Sequence, residues 1–228
     1  MKMSKFKQFM VAVSFLVFAS GANASIINFI DLTENPTTGL GESAWNPLGL
    51  TVAGINLTIT GNATNDDDNE QFAYLDWGNA GLGVCKDASN TGAHNGSSSN
   101  LCAPSSDDNI TDFEFLTFVF DTKVRIDNFW FNNNHDGGFD SGDQVNINGG
   151  LYDVATGYAG GANGIGSFIV AADTDFNVAF ANEQFYVSAM EFSTEDIPSS
   201  VGVPEPASIF LLGLGLLGLG AARRIRVL

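Results

Sequence analysis

The stretch Asn132-Asn133-Asn134-His135-Asp136-Gly137-Gly138-Phe139-Asp140-Ser141-Gly142-Asp143 spaces oxygen donors as a twelve-residue calcium loop does. Asn132, Asn134 and Asp136 take ligand positions one, three and five, Gly137 the sixth, Asp140 the ninth and Asp143 the twelfth. It departs from an EF-hand at both ends, with Asn at the first position and the shorter Asp at the last, and helices do not flank it. A second run, Asp66-Asp67-Asp68-Asn69-Glu70, concentrates carboxylates, with Asp66 and Asp68 as its alternate donors. Ca²⁺ takes roughly six to eight hard oxygen ligands, so the expectation is that one of these loops binds it and stiffens the fold. The plainer readings stand beside it: an Asn/Gly/Asp hairpin connection and a solvated acidic loop.

Sugar recognition needs a flat ring beside polar groups. Trp45, Tyr74, Trp77, Trp130 and Tyr158 offer rings. Trp77, between Asp76 and Gly78, leads with Tyr74, while Trp130 in Phe129-Trp130-Phe131 reads as core. Catalysis has less to stand on. There is no Gly-x-Ser-x-Gly elbow, His94 and His135 lack the context of a triad base, and nothing singles out a carboxylate pair. The expectation is a protein that is not an enzyme. Cys85 and Cys102 are the two cysteines; with no CxxC spacing they read as a disulfide rather than a zinc site.

The elements that must carry these groups are strands. Apolar or alternating runs recur at 26–32, 51–60, 71–77, 113–121, 124–131, 144–154, 166–171, 177–181 and 184–192, separated by Gly, Asn, Asp and Ser. The run 113–121 and the run 124–131, joined by Asp121-Thr122-Lys123, read as a hairpin. The last run mixes apolar residues into both alternating sets, which suits a strand covered on two sides. The fold expected is all-β, a two-sheet antiparallel sandwich, jelly-roll-like, its interior filled from 19 Phe residues. Between residues 25 and 203, 25 acidic residues face three basic ones, a formal charge of about −22. Such a surface repels nucleic acid and anionic lipid.

Both ends of the chain read as addresses. Lys2, Lys5 and Lys7 precede an uncharged, mostly apolar run and Ala22-Asn23-Ala24, the order of a signal peptide cleaved before Ser25. Near the other end, Val203-Pro204-Glu205-Pro206 leads into an uncharged run from Ile209 to Ala222, then Arg223, Arg224 and Arg226. The run is a little short for a span, and the arginines would hold it as a single transmembrane helix with its basic end in the cytoplasm. Its Gly213-Leu214-Gly215-Leu216-Leu217-Gly218 matches a dinucleotide motif, but the strand and acidic residue that motif requires are missing.

This tail resembles the PEP-CTERM sorting signal of exported proteins of Gram-negative bacteria, with Pro204, Glu205 and Pro206 as the recognition motif. The resemblance implies processing by an exosortase-type membrane enzyme and a cell-surface or matrix destination, with extracellular polysaccharide as a partner. The block of Leu75-Asp76, Gly81-Leu82-Gly83-Val84-Cys85, Cys102 and the strand at 114–120 is similar to other exported proteins of that class and implies no activity. The division expected is a signal peptide (1–24), a β-sandwich (25–196), a linker (197–203) and a sorting and anchor segment (204–228). A secreted carbohydrate-active enzyme or carbohydrate-binding protein is the alternative reading. Ice binding ranks last, because Thr58-Ile59-Thr60 does not recur.

Overall fold

The computed structural model of the chain describes residues 24–64, 71–88, 100–106 and 108–194. The chain divides into two compact units, Met1–Thr194 and Glu195–Leu228. Among the described residues there are thirteen strands and one short helix. In chain order they are β1 (Ser25–Asn28), α1 (Phe29–Glu34), β2 (Ser43–Trp45), β3 (Leu48–Val52), β4 (Ile55–Ala63) and β5 (Phe72–Asp76). There follow β6 (Gly81–Cys85), β7 (Glu114–Phe120), β8 (Val124–Asn132), β9 (Gln144–Ile147) and β10 (Gly150–Asp153). The last are β11 (Phe168–Val170), β12 (Phe176–Phe180) and β13 (Tyr186–Ser193).

Two antiparallel sheets pack face to face, as the alternating patterns require. One runs β11-β8-β13-β6-β5-β2, with β1 also on β13; the other runs β10-β9-β12-β7-β4-β3. Ile55, Leu57 and Ile59 of β4 and Leu116, Phe118 and Phe120 of β7 point from the six-stranded sheet into the core. Val124, Ile126, Phe129 and Phe131 of β8 meet them from the other sheet. Phenylalanine does fill this interior. Phe118 meets Phe129 edge-on at 5.5 Å, and Phe129 stacks on Phe176 at 6.1 Å. Such contacts add about 0.5–1.5 kcal/mol each beyond area burial.

Several expectations need correction. Strands β7 and β8 are not a hairpin: they lie in different sheets. Asp121-Thr122-Lys123 is an arch that carries the chain across the sandwich, so both strands keep their apolar sets in one core. Asp121 fixes the arch by accepting from the backbone N–H of Asn56 at 3.0 Å and from its side-chain amide at 2.6 Å. The runs 51–60 and 144–154 each contain a two-residue turn. Ala53 and Gly54 have φ of 52° and 83°, and Asn148 and Gly149 have φ of 49° and 90°, the left-handed pair of a type I′ hairpin. The run at 26–32 is a strand only to Asn28, whose side chain then caps α1 by accepting from the N–H of Asp31.

Strand β13 is buried on both faces, as its mixed pattern suggested. A register shift between Val187 and Ala189 explains the mixing. Phe185 and Val187 enter the core before the bulge, Met190 and Phe192 after it, and the bulge exchanges the two alternating sets.

Candidate functional site

The outer face of the seven-stranded sheet is covered as well. Strands β5 and β6 are buried at every residue because a chain segment lies across them. The Cys85–Cys102 disulfide closes a 17-residue separation and clamps this segment to the end of β6. Beneath the clamp, Ala44, Phe72, Tyr74, Ala88 and the two cysteines form a second, small core. The amide of Asn100 donates to the carbonyl of Ala44 at 2.9 Å, and the N–H of Ile110 to Phe185 at 2.8 Å. Gly83 is what lets the strap lie down: a Cβ there would sit 1.9 Å from the carbonyl oxygen of Asp108.

Where the strap, the β5–β6 turn and the loop after β8 meet, polar groups gather. Asp76 ends β5 and is 5 % exposed. Its Oδ2 lies 3.3 Å from Nδ1 of His135, in ion-pair range without hydrogen-bond alignment. The other ring nitrogen, Nε2, donates to the carbonyl of Gly78 at 3.0 Å. A carbonyl only accepts, so Nε2 carries the hydrogen, and Nδ1 is the ring atom that faces the Asp76 carboxyl. Gly78, at φ 77°, leaves room for this: a Cβ would lie 2.3 Å from His135 Nε2. The Tyr186 hydroxyl donates to Asp108 at 2.7 Å, and the imidazole packs edge-on to the Tyr186 ring at 5.7 Å. The amide of Asn109 donates to Asp136 at 3.0 Å.

Burial decides the electrostatics. It pushes the Asp76 carboxyl up to about 7, helped by the charge of Asp108 and opposed by His135. Burial also raises Asp108, against the stabilising hydrogen bond from Tyr186. Tyr186 and Tyr74 are raised, first by burial and then by their bonds to Asp108 and Glu42. The Asp76 carboxyl is therefore partly protonated near neutral pH. The Nε2–Gly78 hydrogen bond and the packing against Tyr186 hold the His135 ring in place.

The side chains of the loop expected to bind calcium are engaged with other protein groups. Asn132 is fully buried, its amide donating to Ala80 and its carbonyl accepting from the N–H of Asn134. Asn134 donates to the Tyr158 hydroxyl, and Asp136 turns to Asn109. Asp143 accepts from the N–H of Asp140 at 2.6 Å. Among the described residues no three His, Cys, Asp or Glu side chains group to hold a metal ion. Asp66 and Asp68 lie outside the described residues.

The two leading sugar candidates separate. Tyr74 is 1 % exposed and donates to Glu42 at 2.7 Å, so its ring belongs to the small core and cannot stack on a sugar. Trp77 is 55 % exposed, with its indole N–H held by the carbonyl of Thr33 at 3.1 Å. Trp130 is buried, as its run suggested, while Tyr158 is 45 % exposed. Asp76, Asp108 and the pairing with His135 were missed by sequence reasoning. The one signal was a carboxylate, Asp76, closing an otherwise apolar strand. Elsewhere, a cleft of about 330 Å³ between β1, α1 and β3 is lined mainly by Ile26, Ile27, Leu32, Leu50 and Val52, with Asp31 its one ionisable group.

The addresses at the chain ends lie almost wholly outside the described residues: Ala22, Pro204 to Pro206, Ile209 to Ala222, and Arg223, Arg224 and Arg226. Ala24 is exposed, and Ser25 opens β1, paired with Phe192. Among the described residues no helix is long and apolar enough to cross a membrane. A family model, the PEP-CTERM protein-sorting motif, matches residues 202–225. No curated protein and no solved structure matches the chain. The motif marks an exported protein, made as a membrane-anchored precursor and processed by an exosortase. The chain thus combines a disulfide-closed, two-sheet β-domain with a match to the PEP-CTERM protein-sorting motif at residues 202–225.

Proposed function

We propose that this is a non-enzymatic protein of the cell surface or extracellular matrix, and that its sandwich associates with extracellular polysaccharide. The sorting motif at residues 202–225 carries the reading. The closed disulfide supports an oxidising destination. The burial of Asp76, 5 % exposed, supports a binding role over catalysis. The test is mass spectrometry of the protein made in a Gram-negative host with and without an exosortase. The expected product begins at Ser25 and has lost the tail only where the enzyme is present. A tail intact to Leu228 in both hosts overturns the sorting claim.

The alternative, a carbohydrate-active enzyme, has one observation in its favour. Asp76 is a carboxyl raised to about 7 beside a second acid, the profile of a general acid. It is also buried beneath His135, where a glycosidic oxygen has no access. Reducing-sugar release that disappears in Asp76→Asn would decide for the enzyme.

A further inference from the structure

Among the described residues the exposed large aromatic side chains are Trp77, Phe113 and Tyr158, and of these Trp77 and Tyr158 carry a polar atom that fixes the ring. They are linked through one run of contacts. Gly78, next to Trp77, accepts from His135; the neighbouring Asn134 donates to the Tyr158 hydroxyl; Asp136 follows, exposed and steadied by Asn109. We propose that this rim of Trp77, His135, Asn134, Asp136 and Tyr158 is a binding site for neutral polysaccharide. The inference rests on the reading of the sandwich as a polysaccharide-associated module and names its site and ligand class.

Three observations carry it. First, the rings are held in place. The Trp77 indole is pinned to Thr33 and the Tyr158 hydroxyl to Asn134, so little side-chain freedom remains to be lost on binding. Second, the groups between them suit sugar hydroxyls, with an exposed carboxylate and amide flanked by ring faces that pack on C–H surfaces. Third, charge selects against acidic polymers. Asp136 lies exposed on the rim in a domain of 25 acidic and three basic residues, so a uronate chain meets repulsion. The rim lies where β13 begins, whereas Ser25 and Thr194 lie where it ends. The eight-residue strand spans roughly 25 Å at about 3.3 Å per residue.

The test is affinity electrophoresis of the full chain in detergent. Gels would contain dextran, hydroxyethylcellulose or galactomannan as neutral polymers, or alginate with chelator as the acidic one. Retardation is expected in at least one neutral polymer and not in alginate. Trp77→Ala should weaken that binding about tenfold, the loss of roughly 1.4 kcal/mol, and Tyr158→Ala less. Trp77→Phe, which keeps a ring, should retain most of it, and an unchanged melting midpoint in each variant shows that folding is not the cause. Neutral-polymer binding that survives Trp77→Ala and Tyr158→Ala overturns this site while leaving polysaccharide association standing. Equal binding to alginate overturns the ligand class. No retardation in any gel overturns both the site and the association.

Discussion

On its inner face the seven-stranded sheet meets the other sheet through Phe129, Phe131, Val187 and Phe192, fully or almost fully buried and without a polar group among them. On its outer face the same sheet meets a strap of backbone, a disulfide and a cluster of acids. Apolar packing tolerates exchange of side chains so long as volume and pattern persist. The outer layer depends instead on single atoms: the missing Cβ of Gly83, one S–S bond, one proton on the buried Asp76 carboxyl. The inner face makes the fold, and the outer face carries the groups that a ligand would meet.

The sharpest way to break this contrast is to damage each layer and compare. Phe129 touches Phe118, Phe131 and Phe176. Phe129→Ala should cost about 3–5 kcal/mol in a denaturant melt and weaken the whole domain. Replacing Cys85 and Cys102 together with Ser should cost about 3 kcal/mol for a loop of this length. Its effect should concentrate on the strap, with hydrogen exchange rising at residues 100–110 before it rises in β7 or β12. Equal loss of protection in both sheets would erase the distinction between the layers.

Next in size is a dependence on pH. Folding raises the Asp76 carboxyl from the ordinary 3.8 to about 7. A group raised by folding stabilises fully below its unfolded value and loses that contribution as pH climbs through the folded one. Stability should therefore fall between about pH 4 and 7, and Asp108 acts in the same direction. Asp121, lowered by its bonds to Asn56, opposes them but lies at the exposed arch. A shift of this size is worth up to about 4 kcal/mol in a dry site. Local relaxation and water reduce it, so on the order of 2 kcal/mol is expected. Asp76→Asn should flatten the profile of melting midpoint against pH, and a slope unchanged in that variant would place the proton elsewhere.

Much of the inner layer was legible in the sequence, and little of the outer one was. Alternation in Leu116, Phe118 and Phe120 announces a strand with one buried face, because a sheet enforces that period on any sequence that joins it. It does not announce a partner: β7 and β8 carry compatible patterns yet belong to different sheets, since an arch and a hairpin need similar residues. Strand β6 is not announced, because Gly81 and Gly83 are poor strand formers: Gly83 admits the backbone of the strap, and Gly81, at φ 118°, admits the carbonyl of Val187 on β13. Asp76 and His135 are 59 positions apart, and neither spacing nor type predicts that a turn containing Gly78 brings them together. The sorting tail was readable because its chemistry is local: a Pro-Glu-Pro step, an apolar run and a basic end, in order.

The smallest effect uses one residue type in both settings. Gly149 forms a hairpin turn at φ 90° with nothing near its missing Cβ, so Gly149→Ala pays only for a left-handed alanine, about 1 kcal/mol. Gly83 has no positive φ to explain it; its constraint is the Asp108 carbonyl 1.9 Å from where a Cβ would lie. Gly83→Ala must push the strap away, which should cost more and move the Tyr186–Asp108 contact with it. Thermal melts rank the two substitutions, and tyrosine fluorescence at constant pH reports whether the strap moved. If Gly149→Ala proves the costlier change, close backbone approach is not what holds the outer layer against the sheet.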